Sequence, residues 1–120
     1  MINFFKNKKL KSSSLSTFTE DGGQLVLDIY KVPGEIIVIQ STIAGVSPED
    51  LEIFFGGNIL TVQGFRHRHE NIPEENFYQQ ECYFGSFSRS VKIPEDIDSK
   101  KISALLENGI LTVKLPLKKL

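Results

Sequence analysis

From Leu25 onward, apolar and polar positions alternate in short runs with turn-forming residues between them. The run LVLDIYK (25–31) sets Leu25, Leu27 and Ile29 on one face, because successive strand side chains point to opposite sides. Pro33-Gly34 follows as a turn, with Pro presetting φ and Gly free to take a positive one. Glu35–Ile43 begins apolar on both faces and becomes more polar, as a central strand covered on both sides for part of its length would. Its β-branched Ile36–Ile39 disfavours helix through lost side-chain freedom. Ala44–Asp50 reads as a connection with one helical turn, capped by Ser47 with Pro48 at its first position. Leu51–Phe55 and Ile59–Gly64 are strands around a tight Gly56-Gly57-Asn58 turn. Tyr83–Ile93 is a longer strand, with Tyr83, Phe87, Val91 and Ile93 apolar and Ser86, Ser88, Ser90 and Lys92 between them. A final hairpin closes at Asn108-Gly109, a pair that tolerates the positive φ of a type I′ turn. Short strands at regular spacing, with no helix-length amphipathic segment, predict an all-β antiparallel sandwich of about seven to eight strands.

Two stretches break the pattern. Residues 1–24 carry Lys6, Lys8, Lys9 and Lys11, then serines, and end in Asp21-Gly22-Gly23. They read as a flexible arm, although Phe4, Phe5 and Phe18 make it more apolar than a solubilising tail requires. Residues 65–76 (FRHRHENIPEEN) are charged and aperiodic and contain Pro73, and so predict a protruding loop of about a dozen residues. Residues 25–117 thus form one domain, and 118–120 a very short tail.

Composition narrows the function classes. A net charge of −1 gives no basis for binding nucleic acid. The opening MINFFKNKKLKSSS lacks the apolar run of a signal peptide, and no window approaches the ~20 apolar residues of a membrane span. The expectation is a cytoplasmic, soluble chain with neither membrane nor nucleic-acid partner. A single cysteine excludes an internal disulfide. Cys82 has no histidine arranged with it locally and reads as a surface thiol. His67 and His69 would share a face on a strand, but no third ligand completes a metal spacing and Arg66 and Arg68 would repel a cation. A pH-sensitive interface suits them better than a metal. Gly22-Gly23 and Gly56-Gly57 fit neither phosphate-loop nor dinucleotide patterns. No catalytic residue, cofactor or metal site is expected, and the chain does not read as an enzyme. Arg89 shares the register of Phe87 and Val91, so a charge occupies an inward position. It needs an acidic partner in its own chain or across an interface.

Glu81, Gly85, Phe87, Arg89, Ile93 and Pro94, followed by Ala104, Asn108, Gly109, Ile110 and Leu111, resemble the signature of the α-crystallin domain of small heat-shock proteins. The resemblance extends over roughly 25–117 and is closest to the bacterial and plant branch. It implies an immunoglobulin-like antiparallel β-sandwich and an ATP-independent chaperone, a holdase that keeps partly unfolded proteins from aggregating. It implies a homodimer made by strand exchange through the 65–76 loop, with Arg66, His67, Arg68, His69, Ile72 and Arg89 at the interface, and at most a small higher oligomer. It also implies an apolar groove for client or subunit segments, bordered by Leu51, Ile53 and Phe55 on one strand and Ile102, Ala104 and Leu105 on another. Phe4, Phe5 and Phe18 would be the contact residues of the arm. Leu115-Pro116-Leu117 has the letters of the family's tail motif but lies too close to the last strand to reach a neighbour. The competing reading is a co-chaperone or adaptor module of related sandwich type that binds one folded partner.

Overall fold

The computed structural model describes residues 2–3, for their backbone, and 25–119. The arm contacts expected of Phe4, Phe5 and Phe18 lie outside the described residues. The strands are β1 (Ile2–Asn3), β2 (Asp28–Val32), β3 (Ile36–Thr42), β4 (Leu51–Gly56), β5 (Ile59–Arg66), β6 (Gly85–Lys92), β7 (Ser103–Glu107) and β8 (Ile110–Pro116). All pair antiparallel, in a five-stranded sheet ordered β1-β7-β8-β3-β2 and a three-stranded sheet ordered β4-β5-β6. Short 3-10 turns at Pro48–Asp50, Glu74–Asn76 and Ser99–Lys101 are the helical elements among the described residues.

The alternation read from the sequence becomes the sandwich interior. Ile37 and Ile39 of β3, Leu111, Val113 and Leu115 of β8, and Ala104 and Leu106 of β7 are buried in one core with Leu51, Ile53, Leu60, Val62 and Phe87 of the small sheet. Each fully buried aliphatic or aromatic side chain contributes about 1.5–3 kcal/mol, which here replaces any helical layer. At the Asn108-Gly109 turn φ is 53° and 74°, and the Gly109 carbonyl accepts from Ile43 N–H at 2.7 Å. That hairpin turn therefore also ties off the far end of β3.

Several boundaries differ from the sequence reading. The first strand begins at Asp28, not Leu25, and Leu25 (3% exposed) and Ile29 (47%) do not share an environment. Leu25 is tucked into the core ahead of the strand, while the Val26 carbonyl accepts from Ser41 Oγ at 2.8 Å. The strand expected from Tyr83 starts at Gly85. Gly85 has φ 147°, and a Cβ there would sit 2.7 Å from the Tyr83 hydroxyl, so the chain turns before entering the ladder. Phe65 and Arg66, assigned to the loop, remain paired with Ser86 and Gly85. The loop is consequently 67–84, longer and later than 65–76. Ser47 holds the N-cap position of the 3-10 turn but makes no side-chain capping bond.

Candidate interaction surface

Among the described residues β2 is bonded to β3 on one side only, which puts it at the edge of its sheet. Ile29 and Tyr30 on this strand and Val26 just before it are large, apolar and exposed. A hollow of about 290 Å³ lies between Val26, Asp28, Ser41 and Ile110. Open sheet edges are, in general, places where a further strand can pair.

The loop has a fixed base and an open tip. Arg66 Nε donates to the Ala44 carbonyl at 2.9 Å, its Nη1 to the Tyr83 carbonyl at 3.4 Å, and its guanidinium lies 5.7 Å from the Phe87 ring centre. Arg68 stacks over Phe84 at 4.1 Å and faces Phe77 at 5.4 Å. His67 Nε2 sits 3.3 Å from Asp50 Oδ1, and its ring meets Phe65 at 4.6 Å. Three contiguous residues thus clamp both ends of the loop to the sandwich. Beyond them His69, Ile72 and Tyr78 are exposed, and no strand forms within 67–84. His67 and His69 therefore do not share a strand face, and the described residues contain no group of three or more metal-ligating side chains.

Among the described residues of its own chain, no acidic side chain forms a salt bridge with Arg89. Its Nη1 donates to the Leu25 carbonyl at 2.7 Å, tying β6 of the small sheet to the segment entering β2 of the large one. A charged donor on a part-buried carbonyl is worth about 1.5–3 kcal/mol. Arg89→Met, which keeps the stem and removes the donor, is expected to cost about 2 kcal/mol of unfolding free energy in urea titration. A shift under about 0.5 kcal/mol would show that the tie contributes nothing.

Five of the six residues expected to border a groove are buried among the described residues. Leu51, Ile53, Phe55, Ile102 and Ala104 are buried core residues. Leu105 lies on the opposite face of β7, because Ala104 and Leu106 are the inward pair. The outer edge of β7 is paired to Ile2–Asn3 of the same chain, with Ile2 opposite Leu106 and Asn3 opposite Leu105. Sequence reasoning missed Val26, Tyr30, Phe77, Phe84 and Asp50 as parts of this surface. Their signals were weak: Tyr30 occupies the polar register of its run, and Phe77 and Phe84 fall in aperiodic sequence.

Residues 29–120 match the family model described as Hsp20/alpha crystallin. The chain belongs to the Hsp20/alpha crystallin family. Spore protein SP21 of Stigmatella aurantiaca is 38% identical over 82 residues, which are 68% of this chain and 48% of that protein. Heat shock protein 16 of Schizosaccharomyces pombe is 33% identical over 100 residues, 72% of this chain and 70% of the relative. This chain spans about half the length of the first curated relatives that it matches. Among solved structures, heat shock protein 16.0 from Schizosaccharomyces pombe superposes with a TM-score of 0.72 at 31% identity, covering 80% of this chain and 88% of that one. A small heat-shock protein from Xylella fastidiosa gives 0.70 at 27%, covering 80% and 87%. The α-crystallin β-sandwich expected from the sequence is the fold, and the family is one of chaperones rather than enzymes. No described helix is long and apolar enough to cross a membrane.

Proposed function

We propose that this chain is an ATP-independent holdase whose working unit is a homodimer made by exchange of the 67–84 loop. The observation that carries the reading is the pairing of complementary incompleteness within one chain. Among the described residues β2 offers an apolar edge without a partner, and a long loop carries exposed Ile72 and Tyr78. Seating the loop of a second copy on β2 would satisfy backbone groups that are otherwise left to water. A two-fold axis makes that exchange reciprocal and closes the assembly. Arg66, His67 and Arg68 hold the loop base, so His69 and Ile72 fall on the segment that would cross to the partner.

Chaperone action of this kind needs no chemical step. Apolar area covered on a client gains about 25 cal/mol per Å², in competition with the client's own association. The test is light scattering of a heat-labile enzyme warmed without nucleotide, with and without this protein. Suppression at near-equimolar ratio is expected, at equal strength with and without added ATP. Undiminished scattering, together with stable one-to-one binding to a native protein, would replace the holdase by the adaptor.

A further inference from the structure

The two ends of β2 differ in charge. At the Asp28 end, the hollow between Val26, Gln40 and Ile110 holds the Asp28 carboxylate and no lysine or arginine. At the Val32 end the chain turns back to Glu35, whose N–H donates to the Val32 carbonyl at 3.0 Å, and a larger hollow of about 840 Å³ opens there. Lys100, Lys101, Lys118 and Lys119 stand around it, with the carboxylates of Glu35 and Asp98. Asp98 is already engaged: its Oδ1 accepts from the Lys100 backbone N–H, and its Oδ2 lies 4.0 Å from Lys101 Nζ. Among the described residues Lys100, Lys118 and Lys119 have no ion-pair partner. Four lysines against two carboxylates leave the hollow cationic. Its shape does not depend on those side chains. Asp98 N–H donates to the Pro116 carbonyl, Leu117 N–H to that of Glu35 and Lys118 N–H to that of Asp96, each at 2.9 Å. Three segments distant in sequence are laced into one rim, and the lysines ride on it.

The chain also carries an anionic segment. Residues 70–76 (ENIPEEN) hold three glutamates and no cation, and all seven are exposed. Glu74 and Glu75 open the 3-10 turn at the middle of the 67–84 loop, so two carboxylates project at its tip. Within one chain this tip and the hollow start from opposite ends of the sandwich. The loop base is bonded to Ala44, just beyond the Thr42 end of β3, whereas the hollow adjoins the Ile36–Pro116 end of the same strand. The seven residues of β3 separate them by roughly 20 Å. The complementary tip is therefore that of another copy.

We propose that the lysine hollow receives the acidic tip, residues 70–76, of a second copy's loop, and that this charge match sets which way the exchanged loop lies along β2. The placement rests on the loop-exchange reading. Half of the loop, extended, spans ~30 Å, and β2 with its five residues only ~17 Å, so a tip can pass beyond the end of the strand. A loop running toward Val32 brings Glu74 and Glu75 to the lysines. A loop running the other way brings them to Asp28, a like charge. Opposed potentials of this kind fix the register of an interface and suppress the wrong arrangement. They also make the association weaken with salt, because exposed charges are screened beyond ~10 Å at 0.1 M.

Charge exchange in the full chain tests it, with dimer dissociation followed by light scattering across a dilution series. Lys100→Glu with Lys118→Glu, or Glu74→Lys with Glu75→Lys, is expected to raise the dissociation constant about tenfold or more. All four changes together should return it to within about threefold of the parent. That combination also restores the net charge, so a control joins Lys100→Glu and Lys118→Glu to Glu49→Lys and Glu107→Lys, and should show no recovery. None of these side chains is buried, so folding should be retained and is checked by circular dichroism. A dimer indifferent to either pair of reversals, or a control that recovers as fully as the loop exchange, would overturn the proposal and leave loop exchange standing. A monomeric parent, or a dimer that survives removal of residues 67–84, would end the loop-exchange reading and this placement with it.

Discussion

Gly64→Val is expected to lower the unfolding free energy by about 3 kcal/mol or more, the upper range for overpacking a core. For a domain of this size that is a fall in melting temperature of roughly 10–20 °C. A Cβ at Gly64 would stand 2.5 Å from the Asp50 carbonyl oxygen and 2.7 Å from Phe87 Cζ. Neither neighbour can give way easily. The carbonyl belongs to the 3-10 turn that leads directly into β4, and Phe87 is a buried side chain directly opposite in the ladder. Gly57 makes the contrast, because nothing lies within 4 Å of its Cβ position and only its φ of 58° disfavours a side chain. Gly57→Ala should cost only about 1 kcal/mol. Thermal and urea unfolding of both variants provide the measurement. Equal losses would mean that the close approach at Gly64 is not what constrains that position.

The same glycine illustrates what could be read in the sequence. A period of two put Phe87 and Ile93 on one face, and both are buried in the core, because burial of one face leaves a direct trace in residue type. Asn108-Gly109 fixed the last hairpin for an equally local reason, a backbone conformation that few residues tolerate. Arg89 was legible as a conflict, a charge in an inward register, but its partner was not. A backbone carbonyl such as that of Leu25 exists at every residue and carries no sequence mark. The strand limits around Tyr83 failed because an aromatic ring can continue an apolar alternation on paper while, as here, staying exposed with its hydroxyl turned back to donate to the Ser86 carbonyl. Ile102, Ala104 and Leu106 hold the period, and Leu105 is an apolar residue on the outward face. The open edge of β2 depends on sheet order, which no single strand records.

If the proposed loop-exchange dimer forms, replacing residues 67–84 by a four-residue Asn/Gly turn is expected to leave a monomer while the sandwich stays folded. Arg66 and Gly85 are direct partners at the end of the β5–β6 ladder, so a short hairpin turn can join them without moving either strand. At the loop base the replacement removes only surface interactions. His67 and Asp50 are substantially exposed, and an ion pair of that kind adds little to stability. The effect on association should be large for the opposite reason. A loop strand on the β2 edge would form several backbone hydrogen bonds, each contributing about 0.5–1.5 kcal/mol. Losing three of them is about 3 kcal/mol, or on the order of 100-fold in the dimer dissociation constant. The stranded edge, with Ile29 and Tyr30 exposed, should then make the variant self-associate on heating above the rate of the parent chain. Light scattering across a dilution series, with circular dichroism as the check on folding, separates the two effects. A folded variant that dimerises as tightly as the parent would place the subunit contact elsewhere, on a surface that does not use the loop.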